Sequence, residues 1–191
     1  PDKPVLFTFR TDFEGGEKAI SSEEYANLNI AAARCGAVDM IDVEAFSQPG
    51  AEKLIEELHK SGVYVVASYH DFSATPGRDE LVLRMRKMQD MGADIVKIAV
   101  MPSCIEDVLT LLAATSEMYQ KYAKRPLVTV SMSSLGVISR VAGEAFGSSM
   151  TFGTCGQASA PGQIPADKLS RVLEILHETI NNKREGETGR K

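Results

Sequence analysis

Apolar and β-branched residues gather in six short runs, Val5–Phe9, Val38–Val43, Val63–Ser68, Ile95–Val100, Leu127–Ser131 and Met150–Gly153. Between the runs, apolar residues recur at helical spacing, as in Leu54, Ile55 and Leu58 or Val82, Met85 and Met88. The runs read as buried strands and the stretches between them as amphipathic helices. Helix punctuation agrees. Ser21-Ser22-Glu23-Glu24 and Ser103-Cys104-Ile105-Glu106 both fit the capping box, in which a hydroxyl and a carboxylate satisfy two unpaired backbone donors. Gly36, Gly62 and Gly92 stand where a helix ends before the next strand. Repeated βα units with apolar strands predict a parallel sheet.

Such a sheet is either open and doubly wound or closed into a barrel. No Gly-rich phosphate loop follows any run, which weighs against a nucleotide-binding sheet. Arg10, Glu44, His70, Lys97, Met132 and Gly153 each fall at or near the C-terminal end of a predicted strand. Barrel active sites are built on that face. The expected fold class is therefore α/β, of the (β/α)8 TIM-barrel type, with about six βα units in this chain. Residues 1–180 are expected to form one barrel domain. Residues 181–191 are polar and charged, and read as a disordered tail.

The 191 residues, 43% of them hydrophobic, are enough for one sizeable core. A net charge of -5 and the lack of a basic stripe with interleaved aromatics exclude a nucleic-acid binder. The longest apolar runs are strand-sized, so no membrane span is expected. Cys35, Cys104 and Cys155 are widely spaced, with no CxxC pattern. They read as free thiols in a reducing, cytoplasmic setting, with no disulfide framework and no metal site.

Lys97 changes the picture most. It lies inside Asp94-Ile95-Val96-Lys97-Ile98-Ala99-Val100, otherwise a buried strand. A lysine buried without a partner gives up its proton readily, and a neutral amine attacks carbonyls to form a Schiff base. The plainer reading is a lysine that reaches water at a strand end or pairs with a carboxylate. Its company favours chemistry: Arg10, Glu14 before Gly15-Gly16, His70, Arg140, and Ser159 with Gln163 in Ala158-Ser159-Ala160-Pro161-Gly162-Gln163. Each alone has an ordinary structural role, as an ion pair, a turn residue or a half-buried histidine. Together they place an amine, an acid/base, a carboxylate and anion-binding guanidinium groups at one mouth.

The ordered set Phe7-Thr8-Phe9-Arg10, Glu14-Gly15-Gly16-Glu17, Asp42-Val43-Glu44, Ser68-Tyr69-His70-Asp71-Phe72, Val96-Lys97-Ile98-Ala99, Gly136-Val137-Ile138-Ser139-Arg140 and Ser159-Ala160-Pro161-Gly162-Gln163 resembles the type I 3-dehydroquinate dehydratases of the shikimate pathway. The resemblance runs from Pro4 to about His177. It implies dehydration of 3-dehydroquinate to 3-dehydroshikimate. Lys97 matches the Schiff-base lysine, His70 the general acid/base and Glu14 its carboxylate partner. Arg140 matches the grip on the substrate carboxylate. Arg10, Ser159 and Gln163 match positions that contact substrate hydroxyls and carboxylate, the last two on a loop that closes over the ligand. It further implies a small-molecule substrate, a homodimer and no cofactor.

The resemblance also implies eight βα units, so two N-terminal ones, including a Glu-x-Arg motif, lack a counterpart here. The expectation is that another segment supplies them or that this is part of a longer chain. Two other readings stand beside it: another Schiff-base barrel lyase of the class I aldolase type, and a catalytically inactive barrel fragment that binds a ligand or partner.

Overall fold

Alternation along the strands gives the sheet two chemically different faces. The structure, a computed structural model, describes residues 3–188, with side chains as far as residue 180. Strands β1 (Leu6–Phe7), β2 (Met40–Glu44), β3 (Tyr64–Asp71), β4 (Ile95–Val100) and β5 (Leu127–Ser131) form one parallel sheet in the order β1-β2-β3-β4-β5. Helices α1 (Ser22–Arg34), α2 (Ala51–Lys60), α3 (Arg78–Asp90) and α4 (Ile105–Lys121) alternate with them. Beyond β5 come α5 (Val137–Val141), α6 (Gly143–Phe146) and α7 (Ala166–Thr188).

Ile41 and Val43 of β2, Val65 and Ala67 of β3, and Val96 and Ile98 of β4 share one buried cluster with Ile55, Leu58, Leu81, Met85 and Leu111 from the helices. Each large side chain buried there contributes about 1.5–3 kcal/mol. The intervening strand residues, Asp42, Glu44, Ser68, Lys97 and Ala99, point to the opposite face. Sheet neighbours are also sequence neighbours, without the reversal of strand order found in doubly wound sheets. A consecutive parallel order with helices against one face is the arc of a (β/α) barrel, as expected.

Three expectations need correction. Met150–Gly153 is not a strand; next to β5 there is only a single bridge, Leu127 to Ser148. Side chains take the backbone acceptors that a ladder would use: Ser148 Oγ donates to the Met150 carbonyl and Arg140 to the Phe152 carbonyl. The first run, expected from Val5 to Phe9, is a strand only over Leu6–Phe7, because its register with β2 covers just Leu6↔Met40 and Phe7↔Ile41. At α4 the capping residue is Cys104, so Ser103 lies one position outside the helix. Its backbone N–H and hydroxyl therefore both donate to Asp107, each at 2.7 Å, and not to Glu106.

The Ser21–Glu24 capping box is present at α1. Gly36, Gly62 and Gly92 all adopt positive φ at helix ends. The polar tail expected over residues 181–191 falls where side chains, and from residue 189 the backbone, lie outside the described residues. Among the described residues no helix is long and apolar enough to cross a membrane.

Candidate active site

The face opposite the helices gathers the polar residues at the C-terminal ends of the strands. After β1 the chain makes a tight turn over Asp12–Glu14, closed by Gly15 at φ 87 and by a Gly16 N–H to Thr11 carbonyl bond of 2.8 Å. Only glycine fits at Gly16, where a Cβ would lie 1.9 Å from the Arg10 carbonyl oxygen. The turn drives Glu14 inward until it is 1% exposed. There Glu14 Oε2 accepts the His70 backbone N–H at 3.0 Å and meets His70 Nδ1 at 2.8 Å, while Ser47 donates to its other oxygen.

Burial raises the Glu14 carboxyl to about 7, with Glu44 and Asp42 adding to the rise while Ser47 and Arg10 oppose it. Burial also holds His70 well below its ordinary value, helped by the positive charges of Arg10 and Lys97. The imidazole is therefore neutral at pH 7. With Glu14 ionised, Nδ1–H donates to the carboxylate and Nε2 keeps a free lone pair.

Arg10 is held by its own protein. Its Nη1 donates to Glu44 at 3.1 Å and Ser68 at 3.0 Å, and its Nη2 to Asp42 at 2.8 Å. Burial opposes the guanidinium charge, but Asp42, Glu14 and Glu44 more than offset this and raise its pKa. Lys97 is not the unpartnered amine its strand suggested: Nζ lies 3.1 Å from Asp42 Oδ2 and 4.8 Å from the centre of the Phe152 ring. Burial alone would push Asp42 up, yet Lys97, Arg10 and His70 hold it well below the usual carboxylate range.

Arg140 is the opposite case. It is 2% exposed, and its only acceptors are the carbonyls of Phe152 at 3.4 Å and Pro161 at 3.0 Å. Its Nε has no partner, and no carboxylate among the described residues pairs with it. Burial lowers its pKa. A buried guanidinium without a counter-ion is a site for an anion. On the loop before α7, Ser159 and Gln163 bond to each other, Gln163 Nε2 donating to Ser159 Oγ at 3.0 Å.

All seven residues singled out in the sequence, Arg10, Glu14, His70, Lys97, Arg140, Ser159 and Gln163, line one cavity of about 350 Å³ with Phe72, Met132 and Phe152. A larger cleft of about 510 Å³, between α6 and α7 behind Arg140, contains neither Lys97 nor His70. Sequence reasoning put Glu44 on the active face and Asp42, Glu44 and Ser68 inside its motifs, but gave no role to these three, to Ser47 or to Phe152. Carboxylates at alternate positions of an apolar strand, in Met40-Ile41-Asp42-Val43-Glu44, are the signal that marks the first two. Among the described residues, no group of three or more His, Cys, Asp or Glu is arranged to hold a metal ion.

A parallel barrel arc with a carboxylate-paired, half-buried lysine, a neutral imidazole and an unpaired guanidinium around one cavity defines an α/β-barrel enzyme. Comparison with known proteins gives the particular family. The sequence profile described as type I 3-dehydroquinase matches residues 2–180, and the chain belongs to that family. It is 56% identical over 174 residues to a 3-dehydroquinate dehydratase of Klebsiella pneumoniae (strain 342), covering 91% of this chain and 69% of the relative. An Escherichia coli (strain K12 / DH10B) enzyme of the same name is 55% identical over 179 residues, covering 93% of this chain and 71% of its own length. The solved type I 3-dehydroquinate dehydratase of Clostridium difficile superposes with a TM-score of 0.88 at 50% identity, over 92% of this chain and 70% of that one. A Toxoplasma gondii chain described as a deoxyribose-phosphate aldolase, 17% identical with a TM-score of 0.60, shares the fold alone.

Proposed function

We propose that the chain dehydrates 3-dehydroquinate to 3-dehydroshikimate through a Schiff base on Lys97, with His70 as general acid and base. The observation that carries this reading is the single cavity lined by the Lys97 amine, the neutral His70 and the unpaired Arg140. The names of the relatives support the substrate.

A β-hydroxy ketone loses water slowly because the carbanion beside its carbonyl is unstable. Lys97 Nζ adds as the free amine to the ketone carbon, the carbonyl oxygen leaves as water with one proton from the amine and one taken from solvent, and a positively charged carbon–nitrogen double bond forms. His70 Nε2 takes the proton from the neighbouring carbon. The electron pair released makes a carbon–carbon double bond, and the nitrogen recovers its lone pair. That pair then expels the hydroxyl of the next carbon, which leaves as water with the proton carried by His70. Water adds to the conjugated iminium and releases the enone, the free amine and one proton, which returns to solvent. The net change is loss of one water from the substrate. Proton transfer by a positioned histidine accounts for about 10²–10⁴ of the rate.

Glu14 orients the imidazole and Arg140 grips the substrate carboxylate. Arg10, Ser159 and Gln163 contact the substrate hydroxyls and carboxylate, and Ser159 and Gln163 exchange their mutual bond for bonds to the ligand. The reaction so written uses no metal or organic cofactor. The reading includes a homodimer working in the cytoplasm, with light scattering as the test of assembly. For the activity, the growth of conjugated-enone absorbance on adding 3-dehydroquinate is the test. Turnover that disappears in Lys97→Ala and His70→Ala is expected. A folded chain that leaves the substrate unchanged contradicts the reading.

A further inference from the structure

Asp42 is fully buried, and its two oxygens have different partners. Oδ1 accepts Ser68 Oγ at 2.6 Å and Arg10 Nη2 at 2.8 Å, which fixes the carboxylate and leaves Oδ2 facing Lys97 Nζ at 3.1 Å. The backbone is held as well. Tyr25, on α1, donates its hydroxyl to the Asp42 carbonyl at 3.3 Å and accepts the Glu44 N–H at 3.0 Å. A carboxylate fastened this firmly keeps its place when the lysine nitrogen changes its bonding.

We propose that Asp42 is a further catalytic residue, the fixed counter-ion that keeps the carbon–nitrogen double bond on Lys97 protonated. The proposal rests on the lysine imine described above. A neutral imine is a poor electron sink, because abstraction of the neighbouring proton would place a negative charge on nitrogen. A protonated imine takes the same electron pair and becomes neutral. The medium alone does not secure the proton. A buried cation is costly without a counter-ion, and the other cations around this cavity, Arg10 and Arg140, both repel it.

The remaining charged or titratable groups do not substitute for Asp42. Glu44 is occupied by Arg10 and by Thr11, whose N–H and hydroxyl donate to it at 2.8 Å and 2.7 Å. Glu14 is occupied by His70 and Ser47. Tyr25 is turned to the β2 backbone. On the far side the Phe152 ring faces the Lys97 nitrogen. Asp42 is therefore the carboxylate left to meet an iminium proton, and it meets the ammonium form of Lys97 in the same way.

The test is reduction by cyanoborohydride, which traps the protonated imine and spares the neutral one. The chain is incubated with 3-dehydroshikimate over a range of pH, and the Lys97 adduct is followed by intact mass. The same ketone with butylamine gives the reference imine. In the unaltered chain, trapping is expected to persist to higher pH than in the reference. In Asp42→Asn, checked for folding by circular dichroism, the alkaline midpoint is expected to fall by about 1–3 pH units, the shift an opposite charge at this distance produces. Asp42→Glu is expected to recover part of it. Trapping in Asp42→Asn that is weaker at every pH with an unmoved midpoint overturns the proposal and leaves the imine intact. If Asp42→Asn does not fold, an unaltered chain whose midpoint matches the reference imine overturns it as well. No adduct at any pH overturns the imine reading itself.

Discussion

His70 Nδ1 lies 2.8 Å from Glu14 Oε2, and the same oxygen accepts the His70 backbone N–H at 3.0 Å. Two contacts to one carboxylate oxygen fix both the ring and the strand that carries it. Glu14 therefore holds the imidazole through Nδ1 and leaves Nε2 as the other ring nitrogen.

Because burial raises Glu14 to about 7 and keeps His70 below its ordinary value, the pair takes up one proton near neutrality. Above that pH, Glu14 is ionised, accepts Nδ1–H and leaves Nε2 basic. Below it, the added proton removes the acceptor or the base. The kcat/KM profile is therefore expected to fall on the acid side with a midpoint near 7. In Glu14→Gln no carboxylate titrates, so the acid limb moves to lower pH, and the maximal rate falls because the uncharged amide resembles the protonated carboxyl. An unmoved limb in that variant would contradict the assignment.

Arg140 has carbonyl acceptors but no counter-ion. Lysine keeps the charge but lacks the planar fork that matches a carboxylate in two bonds. Arg140→Lys is expected to raise KM about 10–100-fold with a smaller change in kcat, equivalent to about 1.4–2.8 kcal/mol of binding. Steady-state kinetics with 3-dehydroquinate check this; a KM within twofold of the parent counts against a carboxylate grip.

Gly15 combines a positive φ of 87 with a close neighbour, since a Cβ there would lie 2.2 Å from a Phe72 ring carbon. Gly15→Ala is expected to cost about 1–3 kcal/mol and to lower activity by displacing Phe72 from the cavity wall. The double variant Gly15→Ala/Phe72→Ala relieves the collision and keeps the backbone strain. Denaturant unfolding of both singles and the double should show a favourable coupling between the two sites. Simple additivity would show that the collision carries no energy.

Much of this was legible in local pattern. Strands β4 and β5 have the bounds their apolar runs suggested, although β5 is the last strand of the sheet and pairs with β4 alone. The gathering of the seven singled-out residues around one cavity was legible because a parallel barrel brings its strand ends together, whatever their separation in sequence. The partner of Lys97 was not. Asp42 lies 55 residues earlier, and nothing local links an aspartate in one strand to a lysine two strands away. The self-satisfied Ser159–Gln163 pair and the carboxylates around Arg10 are likewise products of packing. The sixth run misled because apolar composition does not reveal that Ser148 and Arg140 claim its carbonyls.

The central claim is that Lys97 forms the covalent bond to substrate. The most direct measurement is the intact mass of the chain after incubation with 3-dehydroquinate and borohydride, followed by peptide mapping. A single reduced adduct at Lys97, absent in Lys97→Arg, is the predicted result. An adduct on another lysine, or none in a chain that turns substrate over, would contradict the account.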